Sequence, residues 1–243
     1  MSFDSSRNDS SWSRPGYRHG VSAGVDVGLR RYMLRVYNFT SAGLGLTGLV
    51  ACAFVASGFY PQIAGTPLIW LVMLAPIGFV LLLSFRIDGM SVGAAQAAFW
   101  GYAALMGLSL AGVFLLYTGV SVARAFFIAA ATFAATSLYG YTTRRDLSQF
   151  GSFLLMGLIG VVLASLVNIF LASSALQFAI SVMGVLVFTG LTAWDTQRIK
   201  EIYVESDPGD VLTKNSLMGA LALYLGFINL FVLLLQLTGQ RRD

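Results

Sequence analysis

The stretch SLMGALALYLGFINLFVLLLQL, residues 216–237, decides the fold because it contains no charged side chain. It is long enough to cross a bilayer, since about 20 apolar residues in a helix span the hydrocarbon core. Six further apolar stretches precede it, separated by short segments with glycine, proline and charged residues. We therefore predict an all-α integral membrane protein with seven transmembrane helices. Their predicted ranges are 36–59, 68–85, 97–117, 122–141, 151–171, 177–194 and 216–237.

The composition excludes a water-soluble globular domain. Of the 243 residues, 57% are hydrophobic and 11% are charged, whereas a soluble domain carries about 25% charged residues. The charged residues are concentrated near the N-terminus and between the apolar stretches, as expected when an ionised group in hydrocarbon is costly. A single histidine and a single cysteine exclude a multi-histidine metal site and an intramolecular disulfide.

The chain is predicted to form one domain with two tails. Residues 1–30 are rich in serine, arginine and glycine and lack an apolar segment, which predicts a disordered cytoplasmic tail. Residues 31–239 form the transmembrane domain, and residues 240–243 form a short C-terminal tail. We expect no cleavable secretory signal, the first span acting as the insertion signal.

The basic residues predict the orientation in the membrane. Twelve of the 15 lysines and arginines lie in the N-terminal segment or in loops on the same side, and the others are Arg124, Arg241 and Arg242. Positively charged loops stay in the cytoplasm, so we expect a cytoplasmic N-terminus and a periplasmic or external C-terminus. An even number of spans would place the C-terminus in the cytoplasm, and that alternative stays open. The basic residues flank spans, so the expected partner is the lipid bilayer and not nucleic acid.

Asp195 is the residue that says most about function. It ends the sixth apolar stretch in GVLVFTGLTAWDTQRIK, residues 184–200, and helical spacing places Thr192 on its face. A small and polar face in an apolar helix points toward protein or water. Two interpretations stay open. Asp195 is a titratable gate, because a carboxylate in a low-dielectric site holds its proton to higher pH, or it is an interfacial residue held by Arg198 or water.

The seventh stretch carries a matching face of small and polar residues. This face recurs at alternating spacings of three and four residues, through Gly219, Ala222, Gly226, Asn229, Leu233 and Gln236. The pattern predicts a central helix whose amide side chains, Asn229 and Gln236, form hydrogen bonds inside the bundle. Arg86 closes the second span, where it is either an interfacial anchor or a partner of Asp195. The chain has no Walker loop, HExxH or GxSxG motif, so we expect neither an enzyme nor catalytic residues.

Three stretches resemble the Bax inhibitor-1 (transmembrane Bax inhibitor motif) family, and most closely its bacterial branch. They are LYGYTTRRDLSQFGSFLLMGLIG (138–160), SALQFAISVMGVLVFTGLTAWDTQRIK (174–200) and MGALALYLGFINLFVLLLQLTG (218–239). The resemblance covers residues 30–239. It implies a seven-helix fold of the bacterial inner membrane, with the last helix surrounded by the other six.

The resemblance also implies a pH-dependent calcium leak. In the family pattern, two aspartates near the cytoplasmic mouth share a proton, and an arginine at the end of the second helix latches to the first aspartate. Asp195 matches the first aspartate through its WDTQRIK context, and Arg86 matches the arginine by its position in the span.

The chain departs from the family at the second aspartate. The family pattern LYLDFINLF is LYLGFINLF here, at residues 223–231, with Gly226 in the aspartate's place. Two carboxylates in contact do not both ionise cheaply, so the loss of one predicts weakened or shifted pH gating. Asp195 is the candidate metal ligand, but alone it is a poor calcium site, because calcium takes about six to eight oxygen ligands. We therefore expect calcium only as a transported ion and no cofactor.

Two functions remain in competition. The polar faces of the last two spans favour a calcium leak channel gated by Asp195. The lost aspartate favours a regulatory membrane protein, because some bacterial members of the family are linked to control of a membrane-bound AAA+ protease. Proton-coupled transport ranks last, since the sequence shows no pair of broken helices in inverted repeats. We expect the chain to be a monomer.

Overall fold

The computed structural model describes the backbone of residues 18–242 and the side chains of residues 27–242. Over this part of the chain the structure is helical, with one isolated β-bridge between Tyr117 and Arg241. A 3₁₀ turn, Ile87–Gly89, follows the third helix. The helices are α1 (Arg18–Ala56), α2 (Tyr60–Ala64), α3 (Leu68–Arg86), α4 (Val92–Leu116), α5 (Gly119–Thr142), α6 (Ser148–Leu171), α7 (Ser174–Glu201) and α8 (Gly209–Thr238).

Seven of the described helices are long and apolar enough to cross a membrane, which confirms the predicted fold class. They are α1 and α3 to α8, and each falls on one of the predicted apolar stretches. Most of the helices extend beyond the predicted ranges: the predicted sixth span is 177–194, whereas α7 runs over Ser174–Glu201. Two helices end earlier than predicted, α1 at Ala56 instead of 59 and α4 at Leu116 instead of 117. Hydropathy marks where apolar side chains end, but backbone hydrogen bonding continues into the polar residues that follow.

The N-terminal part of the structure differs from the predicted tail at residues 1–30. Helix α1 begins at Arg18, so its polar first turns continue the helix of the first span. The remainder of the predicted tail, residues 1–17, lies outside the described residues. The predicted C-terminal tail, residues 240–243, is described up to Arg242 and pairs with the segment between α4 and α5.

Hydroxyl side chains fix where several spans begin. Ser91, Thr118 and Ser173 precede α4, α5 and α7, and each accepts a hydrogen bond from a backbone N–H in the first turn of its helix. These bonds satisfy amide groups that have no partner within the helix. Pro208 precedes α8, where its missing N–H removes one unpaired donor.

Helix α8 forms the centre of the bundle. It is the most buried span, with 67% of its most hydrophobic segment inside the protein. It packs mainly against α1, α4, α5 and α7, whereas α3 packs mainly against α4 and α6 mainly against α7. The burial of α8 agrees with the predicted central position of the last helix. The prediction that all six other spans surround it holds only in part, because α3 and α6 lie at the periphery.

A buried hydroxyl joins three helices near the middle of the bundle. Thr47 of α1 donates a hydrogen bond to the Ala103 carbonyl oxygen of α4 at 2.8 Å. Its hydroxyl also lies 2.6 Å from the Tyr224 hydroxyl of α8, with which it shares a hydrogen bond. Lipid offers no competing partners for these groups, so such bonds help to hold transmembrane helices together.

Gly140 allows α5 to approach the backbone of α7. A Cβ atom at this position would collide with the carbonyl oxygen of Ala193. This contact involves backbone on both sides, so a rotamer change cannot relieve it. By contrast, a Cβ atom at Gly160 of α6 would meet nothing within 4 Å.

We expect Gly140→Ala to lower the thermal unfolding temperature of the purified protein in detergent, because overpacking of a tight contact costs about 1–3 kcal/mol. Gly160→Ala is the matched control and should unfold at the wild-type temperature. Equal unfolding temperatures for the two variants would contradict the close approach of α5 and α7.

Candidate functional site

Helices α7 and α8 run antiparallel and touch at three levels, each with a glycine on one side. Leu233 packs on Gly184, Ile199 packs on Gly219, and Thr192 faces Gly226. The contacts recur at steps of seven or eight residues, the repeat expected when two helices pack at a small angle. The glycines bring the polar faces of the two helices together.

Asp195 lies on α7 between Thr192 and Ile199, two of the residues that contact α8. Its side chain is partly buried. Among the described residues the carboxylate accepts no hydrogen bond, and the charged side chain that acts on it is Arg198. Asp195 is thus an acid within a span whose carboxylate oxygens form no hydrogen bond with the part of the chain that the structure describes.

The Arg198 side chain also interacts with an aromatic ring, that of Trp194. It is exposed, and its guanidinium carbon lies 5.4 Å from the centroid of the Trp194 ring, in a cation–π arrangement. Stacking on an aromatic face competes with an ion pair for the same guanidinium group. The interpretation of Asp195 as a residue held by Arg198 is therefore weakened, although Arg198 is the described charged side chain that acts on it.

Gly226 leaves room beside Asp195. A Cβ atom built on it would meet only the Thr192 hydroxyl oxygen, at 3.5 Å, which is an ordinary contact. Thr192 is buried, and its hydroxyl donates to the Phe188 carbonyl oxygen at 2.8 Å. Position 226 therefore faces α7 one helical turn from Asp195, and the space suits a small side chain such as the aspartate of the family pattern.

A chain of buried hydroxyls, which the sequence analysis missed, runs beside Asp195. The Tyr37 hydroxyl lies 2.7 Å from the Ser137 hydroxyl, and Ser137 lies 2.9 Å from the Thr196 hydroxyl. Thr196 donates to the Thr192 carbonyl oxygen at 2.8 Å. The three side chains belong to α1, α5 and α7. The only signal in the sequence was single hydroxyl residues within apolar stretches, which are common in membrane helices.

The C-terminal end of α7 is anchored to the loop between α5 and α6. The Gln197 side chain accepts a hydrogen bond from the Leu147 backbone N–H and donates to the Arg145 carbonyl oxygen, both at 2.8 Å. Asp146 lies in this loop, where hydrogen bonds from the Ser148 side chain and backbone hold its pKa below the usual range. Asp146 therefore stays ionised at neutral pH and is not a candidate pH sensor.

Arg86, the predicted partner of Asp195, lies elsewhere in this structure. The Arg86 side chain is exposed at the end of α3. The described charged side chain that acts on Asp195 is Arg198. The turn after Arg86 is tied to α8, because the Lys214 ammonium group donates to the Asp88 carbonyl oxygen at 2.9 Å. An ion pair between Arg86 and Asp195 stays a prediction, and it would require α3 to move.

The far end of the interface between α7 and α8 holds a cluster of amide side chains. The Gln177 amide donates to Gln236 at 2.9 Å and accepts from Asn168 at 3.1 Å. Gln236 thus forms the kind of hydrogen bond between helices that we predicted. Asn229 instead donates to the Leu225 carbonyl oxygen of its own helix, because an acceptor one turn back is always within reach.

A cleft of about 430 Å³ opens beside these amides. Gln177, Asn229 and Gln236 line it, and Phe188 lies on its wall among aliphatic side chains of α6, α7 and α8. Phe188 is one helical turn from Thr192 on α7. The polar cleft and Asp195 therefore occupy opposite ends of the same interface, and Phe188 and the contact between Thr192 and Gly226 separate them.

The described residues offer no ready-made metal centre. Within the part of the chain that the structure describes, no three side chains of His, Cys, Asp or Glu come together. The oxygen atoms at the candidate site come from one carboxylate, hydroxyls and amides. Such a set is too weak to retain calcium but is suited to brief contact with a hydrated cation.

Comparison with known proteins agrees with this geometry. Residues 29–243 match the family described as inhibitor of apoptosis-promoting Bax1. The chain belongs to the Bax inhibitor-1 family. The resemblance stated from the sequence is therefore confirmed, and the protein is a multi-pass membrane protein of this family.

Bacterial members of the Bax inhibitor-1 family are similar over nearly their whole length. An uncharacterized protein of Rickettsia prowazekii is 49% identical over 219 residues, covering 90% of this chain and 93% of that protein. The inner membrane protein YbhL of Escherichia coli is 46% identical over 220 residues, covering 89% and 94%. An uncharacterized protein of Caulobacter vibrioides is 44% identical over 247 residues, covering 94% and 98%.

We expect Asp195→Asn to leave the thermal unfolding temperature unchanged or raise it slightly, because the carboxylate makes no hydrogen bond that the fold would lose. Gln197→Ala, two positions away, should lower it, since an unsatisfied buried amide costs about 1–3 kcal/mol. Thermal unfolding in detergent at neutral pH measures both. A larger loss for Asp195→Asn than for Gln197→Ala would mean that Asp195 is a structural residue.

Proposed function

We propose that this protein is a pH-sensitive leak channel for cations, chiefly calcium, in the cytoplasmic (inner) membrane. The observation that carries this proposal is the partly buried Asp195 carboxylate without a hydrogen-bond partner among the described residues. Unpaired ionisable groups within spans are costly and usually mark ion or proton pathways. The closed interface between Asp195 and the outer cleft suits a resting, low-conductance state.

The inner membrane and a cytoplasmic N-terminus are part of the proposal. YbhL, at 46% identity, is named as an inner membrane protein. Seven spans put the two ends of the described chain on opposite sides, and the excess of basic residues favours the N-terminal side as cytoplasmic. In this orientation Asp195 lies near the cytoplasmic mouth and the amide cleft faces outward. We take a monomer as the functional unit.

An ion would cross along the interface between α7 and α8. Amide oxygens of Gln177 and Gln236 would contact it first, and the Asp195 carboxylate would attract it at the inner end. The passage requires Phe188 to move away from α8. One carboxylate gives weak binding, and weak binding allows an ion to leave as readily as it enters. Protonation of Asp195 removes this charge, so flux depends on pH.

Gly226 is expected to alter how flux depends on pH. Relatives that follow the family pattern hold two acids at this interface, and a pair of close acids titrates over a wider range than one acid does. Here a single acid titrates, and among the described residues the positive charge that acts on it is Arg198. The space beside Gly226 makes the restoring variant Gly226→Asp feasible.

Calcium flux into liposomes loaded with a calcium-sensitive dye, measured across a series of pH values, tests the channel proposal. We expect pH-dependent flux for the wild type and a strongly reduced pH dependence for Asp195→Asn, because that variant lacks the titrating group. An unchanged pH profile in Asp195→Asn would contradict the role of Asp195.

The same assay tests the effect of the missing acid. We expect Gly226→Asp to move the midpoint of the flux profile to higher pH by about one unit, since two adjacent acids retain one proton more tightly. Gly226→Asn is the matched control for size and should keep the wild-type midpoint. Equal midpoints in all three proteins would show that position 226 does not act on Asp195.

A regulatory role without ion conduction is the second candidate. The glycine at position 226 favours it, as does the long α1, whose N-terminal turns extend beyond the apolar span from Val27 to Ala56. That extension is suited to contact with a cytoplasmic domain, for instance of a membrane-bound AAA+ protease. Absence of flux in the wild type together with crosslinking of α1 to such a protease would favour this function.

A further inference from the structure

A lateral groove lies between α1 and α5 on the side of the membrane where the chain ends. Both helices pack against α8, but over the described residues they do not pack closely against each other. The gap encloses a cavity of about 530 Å³. Its floor is formed by buried side chains of α8, among them Phe227, Ile228 and Phe231.

The groove has the depth of one membrane leaflet. Along α1 its lining runs from Leu44 to Ala56, the last residue of the helix. At about 1.5 Å per residue this segment is roughly 18 Å long, whereas half of a hydrocarbon core measures about 15 Å. The groove thus extends from the membrane surface to the middle of the bilayer, which is the space taken by one extended acyl chain.

The lining is apolar except at the outer end. The deepest polar side chain, Thr47, is already bonded to Ala103 and Tyr224, so it offers little to a polar ligand. Arg242 lines the mouth of the groove and is exposed. An apolar groove with one cation at the membrane surface matches a lipid that carries a negative headgroup.

The position of Arg242 is fixed by its backbone. The Arg242 N–H donates to the Leu116 carbonyl oxygen at 2.9 Å, and the Gln240 carbonyl oxygen accepts from the Thr118 N–H at 3.0 Å. The Gln240 N–H donates to the Ser121 hydroxyl at 2.9 Å. This pairing holds the end of the chain against the start of α5, so that the guanidinium group stands at the entrance to the groove.

We propose that this groove binds one acyl chain of an anionic phospholipid, whose phosphate forms charge-assisted hydrogen bonds with Arg242. A guanidinium group and a phosphate form paired hydrogen bonds with good geometry. The acyl chain fills the space over Phe227 and Phe231 and closes the gap between α1 and α5. This site is separate from the interface between α7 and α8 and does not depend on ion conduction.

Native mass spectrometry of the full-length protein in detergent, with added phosphatidylglycerol or phosphatidylcholine, tests the headgroup preference. We expect one phosphatidylglycerol to bind about tenfold more tightly than phosphatidylcholine. Both lipids carry a phosphate, but the positive choline group of phosphatidylcholine neutralises its headgroup and weakens the attraction to Arg242. Arg242→Ala should abolish this preference. Arg241→Ala is the matched control, because Arg241 does not line the groove, and it should retain the preference.

A second pair of variants tests the groove itself. Gly48 lines the groove and Gly45 does not, and a Cβ atom at either glycine would meet nothing within 4 Å. Gly48→Leu should therefore fold and lose the bound lipid, whereas Gly45→Leu should keep it. Cys52, the single cysteine, is exposed and lines the groove. It should therefore react more slowly with a maleimide in nanodiscs of phosphatidylglycerol than in nanodiscs of phosphatidylcholine.

Three results would overturn the proposal. Equal affinity of the wild type for the two phospholipids would exclude an anionic headgroup site. Binding that depends on Gly48 but not on Arg242 would identify a zwitterionic lipid, a fatty acid or detergent as the occupant instead. Reaction of Cys52 at the same rate in nanodiscs of either lipid would place the bound lipid outside the groove.

Discussion

The close approach of α7 and α8 is the constraint on which the rest of the structure depends. Gly184 and Gly219 allow the two helices to approach closely, and Thr192 faces Gly226 between these two contacts. Because α8 is buried, every polar group on its face must find a partner in the protein or in water. The amide cluster satisfies one end of this interface, whereas the other end contains Asp195, whose carboxylate has no hydrogen-bond partner among the described residues.

Hydrogen bonding distinguishes the structural polar residues of the bundle from the candidate functional residue, Asp195. Four polar side chains form hydrogen bonds with neighbouring helices or loops and stabilise the bundle: Thr47, Ser137, Thr196 and Gln197. Asp195 lies among them without such a bond to residues 27–242, which is energetically unfavourable in a membrane unless water or an ion reaches it. The fold thus fixes α7 on both sides of the acid and leaves the acid itself available.

The sequence predicted the spans and the central position of α8, and it singled out Asp195, because charge-free stretches and a lone acid within one of them are local signals. It offered Arg198 and Arg86 as alternative charged partners of Asp195, and it could not choose between them, because the choice depends on how far α3 lies from α7. The hydroxyl chain from Tyr37 to Thr196 joins three distant segments and has no local signal. The groove at Arg242 could not be predicted from the sequence either, because it is formed by a gap between α1 and α5.

The central claim is that Asp195 exchanges protons with water through the interface between α7 and α8. Infrared difference spectroscopy of the protein in lipid, recorded while pH is changed, detects the carbonyl band of a protonated carboxylic acid directly. We predict a band that appears on acidification of the wild type and is missing in Asp195→Asn. Identical difference spectra for the two proteins would contradict the claim.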